Sequence, residues 1–162
     1  MATEKSERAK AEALAGYLDP GPKHLNCAQA VMLGGLVAMD QDPDLTSVAG
    51  YLGGGMARMG QVCGALSGAA VTLGLRDRLV GQIRPKNLGT TFDALQQMFR
   101  EFESEFGALT CGDLLGCDIS SSEGFREAKR GALTRCPEYV GWACDRLIEM
   151  FERDASEGSR GI

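Results

Sequence analysis

At 162 residues the chain is long enough for one domain whose core buries roughly two-thirds of its unfolded surface, so it needs no disulfide or metal merely to fold. A net charge of −5, with no basic run anywhere, argues against nucleic acid and anionic membranes as principal partners. The longest apolar run, Cys27 to Met39 interrupted by Gln29, is shorter than the ~20 residues of a membrane span, and the Met-Ala-Thr-Glu-Lys-Ser start has no apolar signal core.

A cytoplasmic protein is therefore expected, in which six cysteines stay reduced and serve as ligands or redox groups rather than disulfides. Ser6 to Leu18 mixes charged residues with Ala13, Leu14, Tyr17 and Leu18, as a surface helix does, and Asp19-Pro20-Gly21-Pro22 stops it. Asn26, with Gln29 three residues later, forms a capping box that puts Cys27 in the first turn of a second helix running to about Met39. That helix is apolar nearly all round, hence central.

Asp40-Gln41-Asp42-Pro43 reads as a loop, Leu45 to Leu52 as a short helix, and Gly53-Gly54-Gly55 as a break. A triple glycine can let backbone amides cradle an anion, but without a full phosphate-loop pattern a turn allowing close packing is the plainer reading. Gly64 to Leu75 is predicted to be a buried helix of small and aliphatic residues, ending near Arg76-Asp77-Arg78. A break around Arg84-Pro85 follows. Phe92, Leu95, Phe99, Phe102 and Phe106 then recur at helical spacing, a core stripe rather than a cofactor box, with Thr90 and Asp93 as its cap.

Thr110 and Asp113 make another capping box, placing Cys111 in the first turn of a short helix through Leu115. Cys117 to Ser122 reads as loop and Gly124 to Leu133 as a further helix. Cys136-Pro137 opens the last helix, whose Val140, Cys144, Leu147 and Phe151 share a face, and the tail from Asp154 to Ile162 is expected to fray. No alternating run suggests a strand. The expected fold is all-α, a single-domain bundle spanning 1–162, of about five main helices plus short ones.

Cys27, Cys63, Cys111 and Cys136 thus all fall in the first turn, or at the cap, of a predicted helix. A helix start presents unpaired N–H groups and a partial positive charge, which favours thiolate over thiol and stabilises an anionic centre. Arg58 and Arg135 lie close to two of these cysteines in sequence and would add to the effect. Converging helix starts would suit an iron–sulfur cluster, zinc or a pair of redox-active disulfides. Spacing alone does not choose among these, or between any of them and scattered core cysteines, because compact Cys-x-x-Cys pairs are absent.

Asn26-Cys27-Ala28-Gln29-Ala30-Val31, the glycine-rich approach Gly53 to Gly60, Cys63-Gly64-Ala65-Leu66-Ser67-Gly68, Cys111 with Leu114-Leu115-Gly116, and Cys136-Pro137 occur in the order of a known family. Over roughly residues 24–150 the chain resembles the redox-active proteins called C_GCAxxG_C_C, defined by four cysteines and a Cys-Gly-Ala-x-x-Gly motif. The resemblance implies an all-helical redox protein whose cysteines map to Cys27, Cys63, Cys111 and Cys136, with helix one an extension before the family region. It implies no specific reaction.

The leading expectation is electron transfer through an iron–sulfur cluster on those four cysteines, with Gly64 and Ala65 letting backbone amides approach the cluster and Arg58 nearby. The alternatives are thiol–disulfide exchange by an activated Cys63 and a structural zinc module. Cys117 is a candidate extra ligand or resolving thiol, whereas Cys144 reads as core and His24 as incidental. The expected partner is a redox protein or a small electron donor or acceptor, and the glycine-rich helices would also suit a homodimer. One histidine and scattered carboxylates give little support to hydrolytic chemistry.

Overall fold

The central helix begins at Asn26, whose side-chain oxygen accepts from the Gln29 N–H at 3.0 Å while Gln29 accepts from the Asn26 N–H at 3.2 Å. This reciprocal cap satisfies two helix-start donors and contributes about 1 kcal/mol. In the computed structural model, which describes residues 4–81 and 89–158, α1 spans Glu4–Leu18 and α2 spans Cys27–Ala38. A 3₁₀ segment follows at Pro43–Ala49, and then come α3 (Gly64–Leu79), α4 (Gly89–Phe106), α5 (Cys111–Leu115), α6 (Ser122–Thr134) and α7 (Cys136–Gly158). The fold is all-α. Among the described residues the only β pairing is an isolated antiparallel bridge between Val62 and Thr110, and no helix is long and apolar enough to cross a membrane.

α2 packs on α1, α3 and α7, which is why apolar residues surround it. Ala28, Ala30, Val31, Met32 and Leu36 are all buried. Its approach to α3 depends on missing side chains: a Cβ on Gly68 would stand 2.4 Å from Ala28 O, and one on Gly35 would stand 2.3 Å from Thr72 Cγ2. The glycine-rich composition is thus spent on close helix crossings, as well as on turns.

α1 is integral to the bundle. Ala9 and Ala13 are fully buried and Tyr17 is nearly so, because one side of the helix lies against α2 and α7. α4 meets α7 through aromatic rings, with Phe102 and Phe106 each edge-on to Tyr139 and Trp142 at 4.8 to 6.0 Å between centroids. Phe92, at the other end of the stripe, is left exposed, and Met98 is buried in the core beside Phe102.

Several boundaries differ from those expected. The segment after Pro43 is a 3₁₀ turn that ends at Ala49. α3 continues through Arg76-Asp77-Arg78 to Leu79, with Asp77 buried and its carboxylate accepting from Arg76. Thr90 lies inside α4, which already includes Gly89. α7 runs past Asp154, which pairs with Arg76, to Gly158. The expected break at Arg84-Pro85 and the last tail residues, 159–162, lie outside the described residues.

Candidate functional site

Each of the four motif cysteines stands at a helix start. Cys27, Cys111 and Cys136 are the first residues of α2, α5 and α7, and Cys63 is the N-cap of α3, with φ −52° and ψ 131° and no side-chain capping bond. Two of these starts are tied together by backbone. The Cys63 N–H donates to Leu109 O at 2.8 Å and the Cys111 N–H donates to Gln61 O at 2.7 Å, on either side of the Val62–Thr110 bridge.

Cys27 meets the start of α3 so closely that a Cβ on Gly64 would fall 2.2 Å from its Sγ. Cys63 and Cys136 share one buried core cluster, with Cys27 packed against it. Cys27, Cys111 and Cys136 also line a cavity of about 800 Å³ that opens to solvent.

The electrostatics agrees with this grouping. Thiolate charge on Cys27, Cys111 or Cys136 raises the pKa of at least one other, and every pair among the four is linked in this way. Burial is nonetheless the first cause at each. It pushes Cys63 well above the ordinary thiol range, Cys111 up to about 12 and Cys136 up to about 11, and it raises Cys27 as well. The expected helix-start effect is present but loses. N–H groups of Gly54, Ala28 and Gly64, with that of Cys27 itself, favour the Cys27 thiolate, and the Ala65 N–H favours that of Cys63, yet desolvation of the charge outweighs them.

The Gly54 amide reaches Cys27 from an unusual turn. Gly54, Gly55, Met56, Ala57 and Arg58 take left-handed φ values of 65°, 67°, 64°, 51° and 62° in succession. Three of these carry a Cβ, and a left-handed conformation costs such residues about 1–2 kcal/mol each. Surrounding hydrogen bonds hold the turn, including Ala57 N–H to Tyr51 O at 2.8 Å and Gln61 N–H to Gly55 O at 2.9 Å.

The remaining candidates separate. Cys117 packs with Cys111, Ile119 and Ala128, and its charge acts on Cys111. Cys144 is fully buried in the core, where a Cβ on Gly34 would stand 2.9 Å from its Sγ. His24 lines the cavity with its ring 5.7 Å from that of Tyr17. The Arg58 guanidinium lies 4.2 Å over the Phe125 ring, and Arg135 donates to Leu114 O at 3.0 Å.

Tyr17 belongs to the site as well, although its sequence pattern marks it only as ordinary helix packing. Its hydroxyl donates to Ala132 O at 2.9 Å and lies within reach of Cys136, where the same O–H turned to the sulfur would favour the thiolate against burial. The available signal was the Ala13, Tyr17 spacing, which marks a buried helix side but not what that side faces.

Among the described residues, no group of three or more His, Cys, Asp or Glu side chains is arranged to hold a single metal ion. No curated protein and no solved structure matches the chain. A family model described as "Putative redox-active protein (C_GCAxxG_C_C)" matches residues 25–150, from just before Cys27 to the middle of α7. Four gathered helix-start thiols and a match covering most of the chain lead to one assignment: the protein belongs to the redox-active C_GCAxxG_C_C family.

Proposed function

We propose that the protein transfers electrons through an iron–sulfur cluster held by Cys27, Cys63, Cys111 and Cys136. The observation carrying this reading is that thiols from four helix starts share one buried cluster and cavity wall, with backbone amides toward the sulfurs of Cys27 and Cys63. The donor set fits the group. Adjacent buried thiolates repel one another and resist ionisation, and the positive charge of iron relieves both penalties. The Gly64 position, too close to Cys27 Sγ for any Cβ, leaves the backbone free to approach the sulfur.

When bound, the cluster would supply one-electron redox chemistry, with its potential set by burial and by hydrogen bonds to sulfur. This chain's part is to hold and tune. Amides of Gly54, Ala28 and Gly64 donate toward Cys27, that of Ala65 toward Cys63, and Tyr17 stabilises charge on Cys136. A structural zinc on the same thiolates is the remaining alternative, and tightly held, redox-silent metal would mark it. Thiol–disulfide exchange led by Cys63 is less favoured, because a buried thiol with a raised pKa is a poor attacking thiolate at neutral pH.

Anaerobic purification with iron and acid-labile sulfide assays tests the proposal. The expected result is stoichiometric iron and sulfide with a visible absorption that dithionite bleaches and that Cys63→Ser abolishes. Protein that stays colourless and iron-free after reconstitution would overturn it, as would tightly held, redox-silent zinc.

A further inference from the structure

The cavity beside the cysteines has a second wall that thiol chemistry does not use. The whole cavity is about 800 Å³, so the part away from Cys27, Cys111 and Cys136 still has room for a small molecule in the ~300–1,000 Å³ range of such sites. Three large side chains on its lining, Leu18, Tyr51 and Leu133, are 50%, 85% and 69% exposed, unburied apolar surface beside a redox-family motif. Phe125 adds a ring to the lining.

Charge on this wall runs against the rest of the molecule. The chain carries a net −5, yet the cavity lining includes Arg58 and Lys129, both over the Phe125 ring at 4.2 and 5.0 Å. Among the described residues neither has a carboxylate partner within ion-pair distance. The carboxylate on the lining, Asp19, accepts the Gly21 N–H at 2.7 Å. Two cations without ion pairs, held together on one aromatic ring in an acidic protein, are a charge-complementary seat for an anion.

We propose that this cavity binds a planar aromatic anion, a quinone carrying a sulfonate or carboxylate group. Its ring lies against the apolar and aromatic wall and its acid group meets Arg58 and Lys129. That such a ligand serves as electron acceptor rests on the cluster reading above; that it binds does not. Aromatic surface supplies the affinity, and the two cations fix which end points to the rim.

Anthraquinone-2-sulfonate is a suitable probe, titrated calorimetrically into the anaerobically purified full chain, with iron and sulfide assayed on each sample. The expected result is one saturable site. Affinity should fall at least tenfold in Lys129→Gln and in Leu133→Glu, which puts a negative charge at an exposed lining position, but not in the neutral Leu133→Gln. A neutral hydroxymethyl-anthraquinone should bind more weakly than the sulfonate.

Iron-loaded protein that does not bind the probe, or binds it equally in all variants, overturns this inference and leaves the cluster reading standing. Specific binding by protein that never acquires iron upholds the site and removes the acceptor role. Sedimentation showing a dimer that excludes the probe and dissociates on Leu133→Glu would assign the apolar rim to a second copy of the chain and overturn the proposal.

Discussion

At Gly64 one added methyl group would stand 2.2 Å from Cys27 Sγ and 3.2 Å from Ala28 N, so Gly64→Ala must turn the Cys27 thiol out of its place or part the starts of α2 and α3. Overpacking of this kind costs about 1–3 kcal/mol. The urea midpoint should fall by the equivalent amount with an unchanged slope, and the bound iron should fall with it. A variant with wild-type stability and full iron would show that this contact is dispensable. Cys144 provides the contrast. Burial, reinforced by Asp145, pushes its pKa up to about 12, so native Cys144 should resist iodoacetamide at pH 9 and react on unfolding, as read by mass spectrometry. Its raised pKa also sets a sign. The neutral buried thiol stabilises the fold fully below the ordinary thiol pKa of 9.0, and that contribution is lost as pH climbs toward 12.

Elements reach the site by two different devices. α2 starts where its capping box dictates, and Asn26 Nδ2 also donates to Gly50 O at 2.9 Å, tying the helix start to the loop before the glycine run. Asn26→Ala should therefore cost about 1–2 kcal/mol, at the upper end for a cap, measured by chemical denaturation. The 54–58 turn works against intrinsic preference. Ala57 sits at φ 51° with a Cβ that this conformation penalises, so Ala57→Gly should stabilise the fold by about 0.5–1 kcal/mol after the extra chain entropy of glycine is subtracted. A drop in melting temperature for this variant would mean that the methyl group packs usefully against the cavity.

At the scale of the whole molecule, α1 lies before the family-matched region 25–150 yet closes the bundle and delivers Tyr17 to Cys136. Removing residues 1–20 would uncover the surfaces under Ala9, Ala13 and Tyr17 and leave Ala132 O without its hydroxyl donor. Loss of several kcal/mol is expected from such truncation, seen as a broadened, low-midpoint denaturation curve. If the shortened chain unfolds as cooperatively as the full one, α1 is an appendage after all. Tyr17→Phe separates the two roles, since it keeps the packing and removes the hydroxyl, costing about 1 kcal/mol.

Most of the helices were legible in the sequence, because their signals are local. Asn26 with Gln29, Thr110 with Asp113, and Pro137 at a first turn set helix starts through bonds only a few residues long. Those same signals placed Cys27, Cys111 and Cys136 at helix starts, whereas Cys63 caps α3 without a side-chain bond and was placed by the small, apolar run that follows it. What they could not set was the meeting of those starts. That depends on the α2–α3 crossing at Gly68 and Gly35 and on the pairing of Val62 with Thr110, which join residues far apart in the chain. The balance of forces on the thiols is likewise set by packing. A helix start favours thiolate wherever it occurs, but the opposing desolvation exists only once the other helices have closed over the sulfur. Helix positions were thus fixed by neighbours in sequence, whereas the cysteine site, its burial and Tyr17's place in it were decided by packing.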